Sequence, residues 1–122
     1  MNKIGLEYGN WLSSMSWTHI ATIRRHYPIT ELNADAMFIK PIKRGVAESI
    51  FYAVEPDMND NHTHAHLLIN SQAKLSRKKL AQLMNMQPQS ISYFEKVISN
   101  KAVSYYCTKN LTKKALTHNF LI

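Results

Sequence analysis

Three histidines fall at alternate positions in His62-Thr63-His64-Ala65-His66, and an apolar run, Leu67-Leu68-Ile69, follows at once. In a β-strand the side chains at i, i+2 and i+4 leave the same face. The spacing therefore aims three imidazoles at one small patch of space. Neutral imidazole is the commonest protein ligand for a transition metal, so the chemistry to expect is metal binding. Further along, Tyr105-Tyr106-Cys107-Thr108-Lys109 places two phenols and an ammonium within one turn of a helix. A phenol is a nucleophile once its charge is stabilised, and a cation one turn away can do that.

Two histidines on one strand chelate, but a catalytic metal site needs a third ligand and an open position. Glu55 closes the preceding β-like run, and a hairpin return would bring it beside the histidine strand. The expected ligands are thus Glu55, His64 and His66. His62 lies nearest the turn and is expected to stand behind the ligands or to contact a phosphate. A closed structural zinc site is hard to assemble with one cysteine and no second histidine pair.

On an α-helix, Val103, Cys107, Leu111 and Ala115 form one apolar ridge at spacing four, which should face the sheet. Tyr106 then sits on the shoulder of that ridge, while Tyr105 points nearly away from it. A nucleophile that must reach a metal on the sheet belongs on the shoulder, which favours Tyr106, with Tyr105 as the alternative. Lys109 neighbours both. An unperturbed phenol, with a pKa of about 10, is only about 0.1% ionised at pH 7, so ammonium or metal help is needed.

The elements that would position these groups follow from periodicity. Residues 17–25 alternate and are β-branched, as a strand does. Pro28 and Thr30 open a helix ending at Gly45, with Pro41 set to kink it. Residues 48–55 read as a second strand and 56–61 as a turn. The histidine strand then covers 62–70. Ser76 caps a helix over 76–85, residues 90–97 form a fourth strand, and a last helix spans about 100–114. Residues 116–122 are apolar without a readable period. The pattern implies one α+β domain over 1–122. A central, mainly antiparallel sheet carries flanking helices, close to the split-βαβ, ferredoxin-like arrangement.

Composition is that of a soluble globular chain: 122 residues, 45% hydrophobic, three Gly, four Pro and one Cys. A lone Cys107 excludes an internal disulfide framework. The first residues carry acidic and polar groups where a signal peptide needs an unbroken apolar run, so a cytoplasmic protein is expected. The net charge of +7 is lopsided. Residues 1–60 hold six Lys/Arg against seven Asp/Glu, whereas 61–122 hold nine against Glu95 alone, a balance of +8. That asymmetry is the electrostatic footprint of a protein that meets phosphate.

Taken together, these residues resemble the HUH endonuclease superfamily. His64-Ala65-His66 followed by Leu-Leu-Ile is similar to its histidine–hydrophobe–histidine motif. Glu55 resembles the acidic ligand that precedes the motif in rolling-circle replication initiators. Ala-Val-Ser-Tyr-Tyr-Cys-Thr-Lys-Asn resembles the Tyr-x-x-Lys helix of single-tyrosine initiators from viruses, phages and plasmids. The strand at residues 18–23 sits where the family's first, weaker motif would be, and the likeness runs over about residues 17–114. The resemblance implies the HUH fold and a divalent ion, Mn²⁺ or Mg²⁺, on Glu55, His64 and His66. It implies that Tyr106 nicks single-stranded DNA at an origin or hairpin through a 5′-phosphotyrosine link, with Lys109 positioning and offsetting charge. It also implies a host helicase and polymerase as partners, action as a monomer or a homodimer, and the host cytoplasm as location. The alternatives are a single-tyrosine HUH transposase, whose tyrosine helix normally carries a glutamine ligand, and a non-catalytic DNA-binding regulator on the same fold.

Overall fold

The computed structural model describes residues 3–58, 62–109, 111 and 115–122. Among these, five strands form one sheet: β1 (His19–Ile23), β2 (Ala47–Pro56), β3 (Thr63–Ser71), β4 (Ile91–Lys96) and β5 (Thr117–Leu121). Their order is β4-β1-β3-β2-β5, with every neighbouring pair antiparallel. The flanking helices are α1 (Lys3–Ser13), α2 (Ala34–Phe38), α3 (Lys40–Lys43), α4 (Arg77–Leu83) and α5 (Asn100–Thr108). The expected α+β class with an antiparallel sheet stands. β3 lies between β1 and β2, which are joined through α2 and α3. β1 lies between β3 and β4, which are joined through α4, so both crossovers are split.

Alternation along the strands assigns the two faces. Ala65, Leu67 and Ile69 of β3 pack with Tyr52, Val54 and Ile23 beneath Phe38 of α2 and Leu80 of α4. Leu68 points the other way, joining Ile20, Phe51 and Ala53 beneath Leu12 of α1 and Cys107 of α5. His64 and His66 share the parity of Leu68 and so belong to the α1–α5 face. The β2–β3 register pairs Glu55 with His64 and Ala53 with His66. A slip of one residue would turn every histidine to the other face, so the apolar residues between them lock the site in register.

Three expectations need correction. The helix read from Thr30 to Gly45 is two short helices separated at Ile39. Pro41 has no backbone N–H to continue the first helix and sits instead in the first turn of α3. Gly45 then leaves the helix at a φ of 75°, a left-handed conformation that glycine adopts without strain. The last helix stops at Thr108, and the remainder of its expected span at residues 110 and 112–114 lies outside the described residues. Cys107 and Leu111 of the expected ridge are buried against the sheet with Val103 packed beside them, whereas Ala115 lies beyond the helix. The third correction concerns the apolar tail, which forms β5 and pairs with β2.

Sequence reading also missed α1. Its segment holds Gly5 and Gly9, which are poor helix formers. Those glycines form its buried side, with Leu12 one turn further on. A Cβ added to Gly9 would run into the ring of Tyr105 on α5. The Tyr105 hydroxyl in turn donates to Asn10 Oδ1, so the ring is held in place. Gly9→Ala should therefore destabilise the protein. Overpacking costs about 1–3 kcal/mol, offset by at most about 1 kcal/mol of helix propensity. A lower urea midpoint at unchanged m-value is the expected reading.

Candidate metal and tyrosine site

The site lies on the α1–α5 face of the sheet, in a cleft of about 900 Å³ between the β1–β4 side of the sheet and α5. Its floor comes from three adjacent strands. β2 supplies Glu55, β3 supplies His64 and His66, and β1 supplies Thr22, which lies opposite His66. Antiparallel pairing sets Glu55 directly beside His64, and His66 is its diagonal neighbour on the same face.

Glu55 is 6% exposed and His66 is 5% exposed, with His64 partly buried. One ligand atom from each of the three lies within 4.8 Å of the others. Glu55 Oε1 stands 3.4 Å from His64 Nε2 and 3.7 Å from His66 Nε2. These separations are longer than good hydrogen bonds and leave the donor atoms converging on a shared point. Glu55 Oε2 is buried and makes no hydrogen bond. A buried carboxylate oxygen without a partner is costly, and a cation is the partner that would satisfy it. The residues present thus fit a divalent metal, with two imidazole nitrogens and one carboxylate as donors.

Electrostatics agree with this assignment. The His64 and His66 rings beside it hold the Glu55 carboxyl far below the usual carboxylate range, despite its burial. The Glu55 carboxylate pushes the pKa of His64 up, against the effect of burial, with Asp57 adding to the rise. Cys107, buried behind the cleft, has its thiol pushed up by desolvation and is inert as a nucleophile.

The helix α5 brings Tyr106 over the ligand group. Its ring meets that of His66 edge to face, with centroids 5.2 Å apart. Tyr106 is 45% exposed and lines the cleft. Lys109, one turn on, places Nζ 4.1 Å from the centroid of the Tyr106 ring. Tyr105 turns the opposite way, onto Gly9 and Asn10 of α1. The ridge geometry therefore separates the two phenols as the helical spacing implies.

His62 lies one residue before the strand. β3 begins at Thr63, so the period-two run inside the strand comprises only His64 and His66. His62 is exposed and stands outside the ligand group. Its carbonyl accepts from the Asp57 amide at 2.9 Å. The group behind His64 is Asp57, whose Oδ1 lies 2.6 Å from His64 Nδ1.

The cleft also contains residues that sequence reading passed over. Between Thr22/Ile23 and β4 the register shifts, leaving Ser92 as an extra residue. Such a bulge re-aims a side chain, and Ser92 enters the cleft beside Tyr93 although the two are adjacent on one strand. Arg24 Nη1 donates to Ser92 Oγ at 3.2 Å. Tyr93 is 47% exposed. The only local signal for these groups was an aromatic beside serines in a predicted strand; the bulge itself leaves no mark in residue types.

Among the described residues, no helix is long and apolar enough to cross a membrane. No family model matches the chain, and neither a curated protein nor a solved structure does.

Proposed function

We propose that the protein nicks and rejoins single-stranded DNA as an HUH-type endonuclease, and that it is a single-tyrosine initiator of rolling-circle replication. One observation carries the reading: an exposed phenol on α5 lies edge-on to His66 in the same cleft as Glu55, His64 and a lysine. The split-βαβ strand order with the tyrosine helix laid across it supports the HUH fold. The basic second half of the chain, which contributes β3, β4 and α5, supports a polyanionic substrate.

Held by Glu55, His64 and His66, a divalent ion such as Mn²⁺ or Mg²⁺ would supply Lewis-acid polarisation of a phosphoryl oxygen. The Tyr106 oxygen forms a bond to phosphorus as its proton passes to solvent. The bond from phosphorus to the 3′-oxygen breaks, and that oxygen takes up a proton and leaves as a 3′-hydroxyl. One phosphoester replaces another, so the step is reversible and the same site rejoins strands. Lys109 lies over the phenol ring and lowers the cost of negative charge on it. Unwinding of a duplex and strand extension fall to a separate helicase and polymerase of the host.

The test is incubation with Mn²⁺ and a pool of end-labelled single-stranded oligonucleotides of randomised sequence. A denaturation-stable adduct supports the nickase, and sequencing the captured strands reads out its site. Salt-sensitive binding without an adduct identifies a DNA-binding regulator instead.

Tyr93 and Ser92 line the substrate side of the cleft, and an open aromatic there suits an unpaired base. Tyr93→Ala should weaken single-strand binding by about 5- to 150-fold, matching about 1–3 kcal/mol per stacked base. Tyr93→Phe should bind within about twofold of the parent, since it keeps the stacking face. Fluorescence anisotropy at fixed salt is the measurement.

A further inference from the structure

We infer that Asp57 is a positioning residue for the metal site, acting through His64; this rests on the metal reading above but not on the nicking reaction. The two ring nitrogens of His64 face two different carboxylates. Nδ1 lies 2.6 Å from Asp57 Oδ1, and Nε2 lies 3.4 Å from Glu55 Oε1. An ionised carboxylate can only accept a hydrogen bond, so the short contact requires the proton on Nδ1. Once the ring is neutral, the remaining lone pair is on Nε2, on the Glu55 side, which is the form a metal needs.

Without that restraint the ring could flip or take the other tautomer, directing an N–H at the ligand point. Asp57 is itself anchored: Arg24 Nη2 stands 3.6 Å from the same Oδ1, and Arg24 is tied through Nη1 to Ser92. The restraint therefore runs from the β4 bulge through Arg24 and Asp57 to the imidazole. His66 has a neutral counterpart in Thr22, whose Oγ1 lies 3.3 Å from its Nδ1. The charged partner falls to His64, the more exposed of the two residues. A carboxylate behind a ligating histidine also raises its basicity, and losing such a partner typically costs 10- to 100-fold in metal affinity, about the range expected here.

Asp57→Ala should weaken Mn²⁺ binding by about 10- to 100-fold in calorimetric titration. Asp57→Asn should recover affinity to within about fivefold of the parent, because its amide oxygen still accepts from Nδ1–H. In the metal-free parent protein, ¹⁵N spectra recorded at a pH where the ring is neutral should show His64 in the Nδ1–H form. Asp57→Ala should lose that preference while the spectrum of His66 stays in place. Parent-like Mn²⁺ affinity in Asp57→Ala, or an Nε2–H form of His64 in the parent, overturns the inference. The second measurement decides the matter even where the alanine variant fails to fold. Failure of the nicking proposal reads differently, as tight and Asp57-dependent Mn²⁺ binding with no DNA adduct.

Discussion

Tyr106→Phe should abolish covalent capture of single-stranded DNA, a loss on the order of a thousandfold or more in the rate of adduct formation. Removing a nucleophilic oxygen leaves no atom to form the phosphoester, whereas removing a merely supportive hydroxyl lowers the rate modestly. The phenyl ring of the variant would still pack edge-on to His66. Mn²⁺ affinity and single-strand binding should therefore stay near those of the parent, which separates lost chemistry from lost structure. Tyr105→Phe is the internal control. Its hydroxyl is engaged with Asn10 and its ring is set against Gly9, so that change should leave most of the nicking intact. Both variants are read by gel shift of a labelled strand after denaturation. An adduct that survives Tyr106→Phe but disappears in Tyr105→Phe would reverse the assignment.

Glu55→Ala should reduce Mn²⁺ affinity and adduct formation together. The metal loses its one anionic donor of the three and keeps two neutral imidazoles. Loss of an outer partner alone costs about 10- to 100-fold, so loss of a direct ligand should exceed about 100-fold. The carboxyl is also held far below its usual range beside His64 and His66, so in its ionised form it stabilises the folded protein. The variant should thus bind metal far more weakly and also melt lower than the parent in a chelator. Calorimetric titration and melting curves with and without Mn²⁺ check the two halves. Undiminished Mn²⁺ affinity would mean that a different third donor completes the site.

Much of the candidate site was legible because its residues lie close in sequence on elements with strong periods. His64 and His66 share a strand face by parity, Glu55 returns by a hairpin, and Tyr106 and Lys109 are three apart on one helix. The same local logic started the histidine strand one residue early, at His62, because period two holds only inside a strand and β3 begins at Thr63. It read residues 30–45 as one helix, because propensity does not say where a proline will interrupt packing. α1 and β5 were not readable in this way. The first is a glycine-bearing helix stabilised by close approach to α5, and the second is an edge strand whose pattern has meaning only beside β2.

The chain's residue types and spacing by themselves determined the candidate donor group, the separation of the adjacent phenols, the lopsided positive charge and the α+β class. These rest on interactions within a strand, a hairpin or a helical turn, where distance along the chain sets distance in space. Only the tertiary structure decided that α5 lies across the face carrying the imidazoles, that a bulge in β4 turns Ser92 inward, and that Asp57 and Thr22 stand behind the two rings. Those contacts join segments far apart in sequence, and their geometry is set by the packing of both sheet faces rather than by any local preference.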